Sequence, residues 1–262
     1  QDRRALSHTV EVFTAGAPPA AATLAAFEPL GFNVTQVYGL TETYGPATEC
    51  LWQTEWDAAQ GDDRSALKAR TGVAMAMLEG AEVHDDHGQP VARDAAHLGE
   101  IAMRGNMVMK GYYKNPKATR EAFKGGWFRS GDIGRLSEGG HLKLTGRLKE
   151  TYRCGGEMVM PREIEDLLIN YPGIAQVFAV GIPDPKMGEV GCLCIVPIDG
   201  AMPIVDDIIA HCAARLARFK IPKYGVFLKP MDVPLTATGR PQKFMLTELA
   251  IERLSQSGRF PS

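Results

Sequence analysis

Residues 33–43 read Asn33-Val34-Thr35-Gln36-Val37-Tyr38-Gly39-Leu40-Thr41-Glu42-Thr43, and this stretch decides the fold. Its opening, through Tyr38, reads as a strand, and a glycine then brings a hydroxyl and a carboxylate side by side. Working outward, residues 9–15 form another strand-like run and residues 20–30 an alanine-rich helix. Strand, helix and strand in that order make a β-α-β unit of an open parallel sheet, where ligands lie at the carboxyl ends of the strands. The loops at those ends are the Gly16-Ala17-Pro18-Pro19 turn and the segment from Tyr38 to Glu42.

Further along, the texture changes twice. Residues 74–144 carry short strands at 81–84, 99–104 and 141–145 between Asp/Gly turns, which predicts a small barrel or sandwich. Within it Asn115 caps a short helix with Pro116 at its first position. After Gly146, helices are predicted at 161–170, 206–219 and 242–254, and strands at 174–181, 189–197 and 224–228. Ile208, Ile209, Cys212, Leu216 and Phe219 form one apolar stripe. The fold class is therefore α/β and α+β: the end of an open parallel α/β sheet, a small β-barrel-like region, and a compact C-terminal α+β domain. The expected boundaries are 1–147 (1–70 α/β, 71–147 β-rich), a hinge at 148–151, and 152–262.

Composition narrows the function classes. The 262 residues are 45% hydrophobic, enough for a sizeable core, and their net charge of −2 gives no electrostatic reason to expect nucleic acid or an anionic membrane. No apolar run approaches the length of a membrane span, and the polar start Gln1-Asp2-Arg3-Arg4 does not lead into a signal-peptide core. Five cysteines without framework spacing fit free thiols in a reducing cytoplasm. Cys192 and Cys194 alternate along one strand and read as structural. His84, His87 and His97 read as solvated turn residues rather than metal ligands.

A second motif lies about ninety residues beyond the first. Trp127-Phe128-Arg129-Ser130-Gly131-Asp132 is followed by Thr145-Gly146-Arg147-Leu148-Lys149. Asp132 can accept from sugar hydroxyls and Arg147 can donate to the same sugar. With an aromatic face at Tyr38, a hydroxyl for a phosphate at Thr41 and a carboxylate for a hard metal at Glu42, these groups describe a nucleoside triphosphate site. Taken singly each has a plainer reading: Tyr38 a core tyrosine, Thr41-Glu42 a helix cap, Ser130-Gly131-Asp132 a turn.

In this order the motifs resemble the adenylate-forming superfamily, which comprises acyl-CoA synthetases, peptide-synthetase adenylation domains and luciferases. The resemblance covers residues 11–249 of a chain about half as long as such enzymes. It implies that Gly16, Ala17 and Pro18 lie against adenine, that Tyr38 stacks on it, and that Gly39, Leu40 and Thr41 border the phosphates. It further implies that Glu42 holds Mg²⁺, that Asp132 and Arg147 clamp the ribose of ATP or AMP, and that Lys149 is an interdomain hinge. Arg153, Gly155, Gly156 and Glu157 would then border coenzyme A. The plainer reading of Gly155-Gly156 is a tight turn.

Two departures stand out. Where the family carries a catalytic lysine after a glycine, this chain has Gly239-Arg240, with Lys243 three residues on. Arginine keeps the charge but is longer, planar and forked. The family's Ser/Thr/Gly-rich phosphate loop has no counterpart in these 262 residues. The expectation is the C-terminal portion of an acyl-CoA ligase that joins a small carboxylic acid to coenzyme A with ATP, inactive alone, in fatty acid metabolism; a homodimer is compatible with it. Tyr44-Gly45-Pro46-Ala47-Thr48 with Trp52 and Trp56 resembles ligases for short- and medium-chain, aryl or methylthio acids. A non-catalytic nucleotide- or CoA-binding module, or an adenylation domain serving a carrier protein, are the alternatives.

Overall fold

The computed structural model describes residues 6–16, 21–236 and 239–259, in two compact units, 1–145 and 146–262. The sequence candidates Ala17 and Pro18 lie outside the described residues.

The first unit opens with strand β1 (Val10–Thr14), helix α1 (Ala21–Phe27), a 3-10 turn (Glu28–Leu30) and strand β2 (Phe32–Leu40). β1 and β2 pair in parallel, with Val12 opposite Val34. The 3-10 turn ends because Gly31 takes the left-handed conformation (φ 87°) and bonds back to Glu28. Strand β3 (Gly45–Glu49) returns antiparallel to β2, helix α2 (Gly61–Lys68) follows, and strand β4 (Val73–Ala74) pairs with β3. The sheet order is β1-β2-β3-β4, so the parallel pair expected from the sequence continues antiparallel.

Strands β5 (Leu78–His84) and β6 (Gly99–Gly105), helix α3 (Pro116–Ala122) and strands β7 (Phe123–Lys124), β8 (Trp127–Leu136) and β9 (Leu142–Arg147) form the second sheet. Its order is β5-β6-β8-β7, with β9 on β8. Asn115 caps α3 by accepting from the Ala118 amide at 3.0 Å, with Pro116 in the first turn, as the residue types predict. The ten-residue strand β8 was not legible, because Ser130-Gly131 interrupts its alternation. His84 corrects the expectation of a solvated turn residue. It is 2% exposed at the end of β5, edge-on to Trp127, and burial lowers its pKa. Ile101, Met103, Phe128 and Leu142 centre the core beneath this sheet.

The second unit is built on strands β10 (Tyr152–Cys154) and β11 (Glu157–Val159), helix α4 (Pro161–Leu168), strands β12 (Ile174–Asp184) and β13 (Gly188–Pro197), helix α5 (Val205–Ala213), strand β14 (Tyr224–Phe227) and helix α6 (Lys243–Gln256). Sheet order is β11-β10-β13-β12, and β14 pairs in parallel with β13. Helix α5 is shorter than the stripe predicts: Ala217 is extended and Arg218–Lys220 is a separate 3-10 turn. α4 inserts Ile164 and Leu168, both fully buried, for about 1.5–3 kcal/mol each. All five cysteines are free and buried; desolvation pushes the Cys194 thiol up to about 12 and Cys212 to about 11. Among the described residues no helix is long and apolar enough to cross a membrane.

Candidate functional site

The loop after β2 is built by three small residues. A Cβ on Gly39 would lie 2.0 Å from the Gly45 carbonyl oxygen, so the β2–β3 turn closes only over glycine. The Thr43 hydroxyl, fully buried, accepts from the Leu40 amide at 2.9 Å and stands 2.8 Å from the Gly45 carbonyl. Tyr44 then turns the chain in the left-handed region (φ 57°) with its side chain 92% exposed. This pinning leaves Thr41 on the surface and Glu42 half-buried. Tyr112 donates its hydroxyl to Glu42 Oε1 at 2.9 Å, and the Met109 amide donates to the Glu42 carbonyl at 2.7 Å. Burial first, and then the bond to Glu42, raises the Tyr112 phenol above its ordinary value. Sequence reasoning missed Thr43 and Tyr112; the second lies seventy residues away and no local pattern links it to Glu42.

Tyr38 and Asp132 are joined directly. The tyrosine hydroxyl donates to Asp132 Oδ2 at 2.9 Å, and the two residues are 3% and 4% exposed. Tyr38 thus belongs to the apolar cluster under the second sheet, its ring buried and its hydroxyl on the aspartate. Asp132 stands on β8 at an irregularity in its pairing with β6. Gly16 ends the described part of the β1 loop at φ 95°, a conformation that suits glycine.

The remaining candidates belong to the second unit or to its first residues. Arg147 is exposed at the end of β9, and Lys149 is exposed in a 3-10 turn, Leu148–Glu150. Arg153 and Glu157 are exposed on the β10–β11 hairpin, whose two turn residues, Gly155 and Gly156, both have positive φ (62° and 87°). The Arg153 guanidinium donates to the Gly156 carbonyl at 3.2 Å, and the Gly155 amide to the Met187 carbonyl at 2.9 Å. Asp184 holds the neighbouring turn by accepting from the Lys186 and Met187 amides and from Lys223.

Arg240 and Lys243 have opposite surroundings. Arg240 is exposed in a loop where its amide donates to the Thr236 hydroxyl and its carbonyl accepts from the Thr236 amide. Lys243 is 13% exposed, and its ammonium donates to Glu165 Oε1 at 2.6 Å and to the Ala179 carbonyl at 3.3 Å. Lys243 is therefore committed to the fold.

Among the described residues no group of three or more His, Cys, Asp or Glu could hold a metal on its own. Mg²⁺ bound with a nucleotide takes one or two carboxylates and fills its sphere with phosphate oxygens and water. A single half-buried Glu42 fits that donor set.

Residues 1–113 match the family model of AMP-binding enzymes, and residues 163–240 match that of the AMP-binding enzyme C-terminal domain. The chain belongs to these AMP-binding enzymes, the adenylate-forming superfamily. Over 240 residues it is 41% identical to 4-hydroxybutyrate–CoA ligase 2 of Metallosphaera sedula, covering 92% of this chain and 43% of that protein. It is 40% identical to acetate–CoA ligase CCL3 of Humulus lupulus, covering 94% of this chain and 44% of the relative. The ATP-bound MatB structure from Rhodopseudomonas palustris superimposes with a TM-score of 0.78 at 30% identity, over 90% of this chain and 44% of MatB. The chain spans less than half the length of the curated relatives it matches.

Proposed function

We propose that these residues are the C-terminal portion of an acyl-CoA synthetase that uses ATP, Mg²⁺ and coenzyme A. In the first half-reaction a carboxylate oxygen attacks the α-phosphorus of ATP, forming acyl-adenylate and releasing pyrophosphate. In the second the thiol of coenzyme A attacks the acyl carbonyl, forming the thioester and releasing AMP. Thr41 contacts a phosphate oxygen, Glu42 holds Mg²⁺, and Asp132 with Arg147 recognises the ribose. Gly16 to Pro18 and Tyr38 to Leu40 border the nucleotide, Tyr38 bearing on it through Asp132. Arg153, Gly155, Gly156 and Glu157 line the path of coenzyme A, Lys149 is the hinge, and Arg240 faces the charge that forms at the α-phosphate. The acid is a small carboxylic acid, a reading supported by relatives named for 4-hydroxybutyrate and acetate. A place in fatty acid metabolism and in the cytoplasm accords with that acid and with five free thiols.

The observation that carries this reading is the bond between Tyr38 and Asp132, which joins the strand leading into the first motif to the Ser130-Gly131-Asp132 part of the second. Nucleotide binding tests it: the chain binds AMP, and Asp132→Ala weakens that binding by about tenfold or more. The chain alone supports no acid-dependent ATP–pyrophosphate exchange, since no phosphate loop lies in its sequence. Wild-type protein that ignores AMP and ATP would remove the proposal. A non-catalytic nucleotide-binding module is the second reading, favoured by arginine at position 240.

A further inference from the structure

Asp132 is held by a construction that its own motif does not contain. On β8, Arg129 lies opposite Ala102 and Ile133 opposite Glu100. Ser130, Gly131 and Asp132 therefore face Ile101 alone, a bulge of the kind that takes a side chain out of strand alternation. Glu100 closes this bulge with both carboxylate oxygens. Its Oε1 accepts from the Gly131 amide at 2.8 Å, and its Oε2 accepts from Arg129 Nε at 2.7 Å and Nη2 at 2.6 Å. The two side chains are 13% and 11% exposed. Arg129 also donates to the Asp85 carbonyl at 3.3 Å. From within the bulge, the Ser130 hydroxyl donates to the Ile101 carbonyl at 2.8 Å and accepts from the Asp132 amide at 3.1 Å. A Cβ on Gly131 would meet nothing within 4 Å, so its glycine answers the backbone conformation, φ 74°.

A buried acid–guanidinium pair is weak evidence for stability, because apolar residues of similar volume do as well or better. What the pair adds here is direction, since charge-assisted bonds fix both the Gly131 amide and the base of the bulge. We propose that Glu100, acting through Arg129 and the Gly131 amide, is the positioning residue that sets the Asp132 carboxylate to receive sugar hydroxyls. The inference rests on the reading of Asp132 as the ribose acceptor.

The test compares AMP with 2′,3′-dideoxy-AMP by isothermal titration calorimetry on the full 262-residue chain, as wild type and as Asp132→Asn, Glu100→Ala, Glu100→Gln and Ser130→Ala. Wild type prefers AMP by about tenfold or more, the effect of a carboxylate bonded to a hydroxyl. In Glu100→Ala that preference collapses while affinity for the dideoxynucleotide stays within about twofold, a pattern expected when only hydroxyl recognition is lost. Glu100→Gln keeps an acceptor for the Gly131 amide and recovers part of the preference. If Glu100→Ala does not fold, Glu100→Gln and Ser130→Ala decide by the same ratio, each falling below wild type. A parallel loss of both nucleotides with the ratio intact makes Glu100 merely structural and overturns the proposal. A wild type that does not distinguish the nucleotides, or an Asp132→Asn variant that keeps the full preference, overturns the ribose reading and the positioning role with it.

Discussion

The hydroxyl of Tyr38 donates to Oδ2 of Asp132 at 2.9 Å, although the residues are ninety-four positions apart and both are almost wholly buried. The bond ties the strand leading into Thr41-Glu42 to the strand that carries Ser130-Gly131-Asp132. Removing it with Tyr38→Phe costs about 1.5–3 kcal/mol, as for other bonds to charged groups. Urea unfolding measures that loss, and AMP affinity falls with it. A variant of unchanged stability would show that the bond contributes nothing.

Lys243 and Arg240 separate a structural cation from a candidate functional one. Lys243→Ala strands Glu165 in a largely buried setting and lowers stability by about 3 kcal/mol in denaturant unfolding. Arg240→Ala, on an exposed loop, shifts stability by no more than about 0.5 kcal/mol. In a protein where these residues follow a phosphate-loop half, Arg240→Lys speeds acyl-adenylate formation and leaves thioester formation from supplied adenylate unchanged. Lost adenylation in a folded Lys243→Ala protein, with no gain from Arg240→Lys, would reverse the two roles.

Asp184 makes the second unit sensitive to acid. Lys223 and the amides of Met187 and Lys186 hold its carboxyl down to about 2, against an ordinary 3.8. A carboxyl lowered by folding contributes its stability above the ordinary value and loses it as pH falls through the folded one. The stability gap between wild type and Asp184→Asn is therefore full at pH 6 and shrinks between pH 4 and about 2. Chemical denaturation of both proteins at pH 6, 4 and 2.5 measures it, and a gap independent of pH counts against the assignment.

Residues 146–259 are expected to fold by themselves. Their apolar cluster runs from Tyr152 to Leu254 and draws every member from the second unit. The isolated segment gives a dispersed amide spectrum and one cooperative transition, and limited proteolysis of the chain cuts near residues 145–151. A collapsed spectrum would show that the segment needs the first unit.

Sequence alone determined what depends on neighbouring residues. Asn115-Pro116 marked a helix start because a side-chain acceptor and a preset φ act within one turn. The parallel β1–β2 pair followed from a strand-helix-strand rhythm, and Gly155-Gly156 marked a turn because both positions demand positive φ. Only the tertiary structure decided the rest. It put the Tyr38 ring in a core and its hydroxyl on Asp132, set Tyr112 on Glu42, and committed Lys243 to Glu165. It also drew Glu100 across to the Gly131 bulge and buried His84 beside Trp127. Those partners lie 31 to 94 residues apart where hydrogen bonds join them. A pairing at that separation is set by strand register and burial, which no local pattern of residue types encodes.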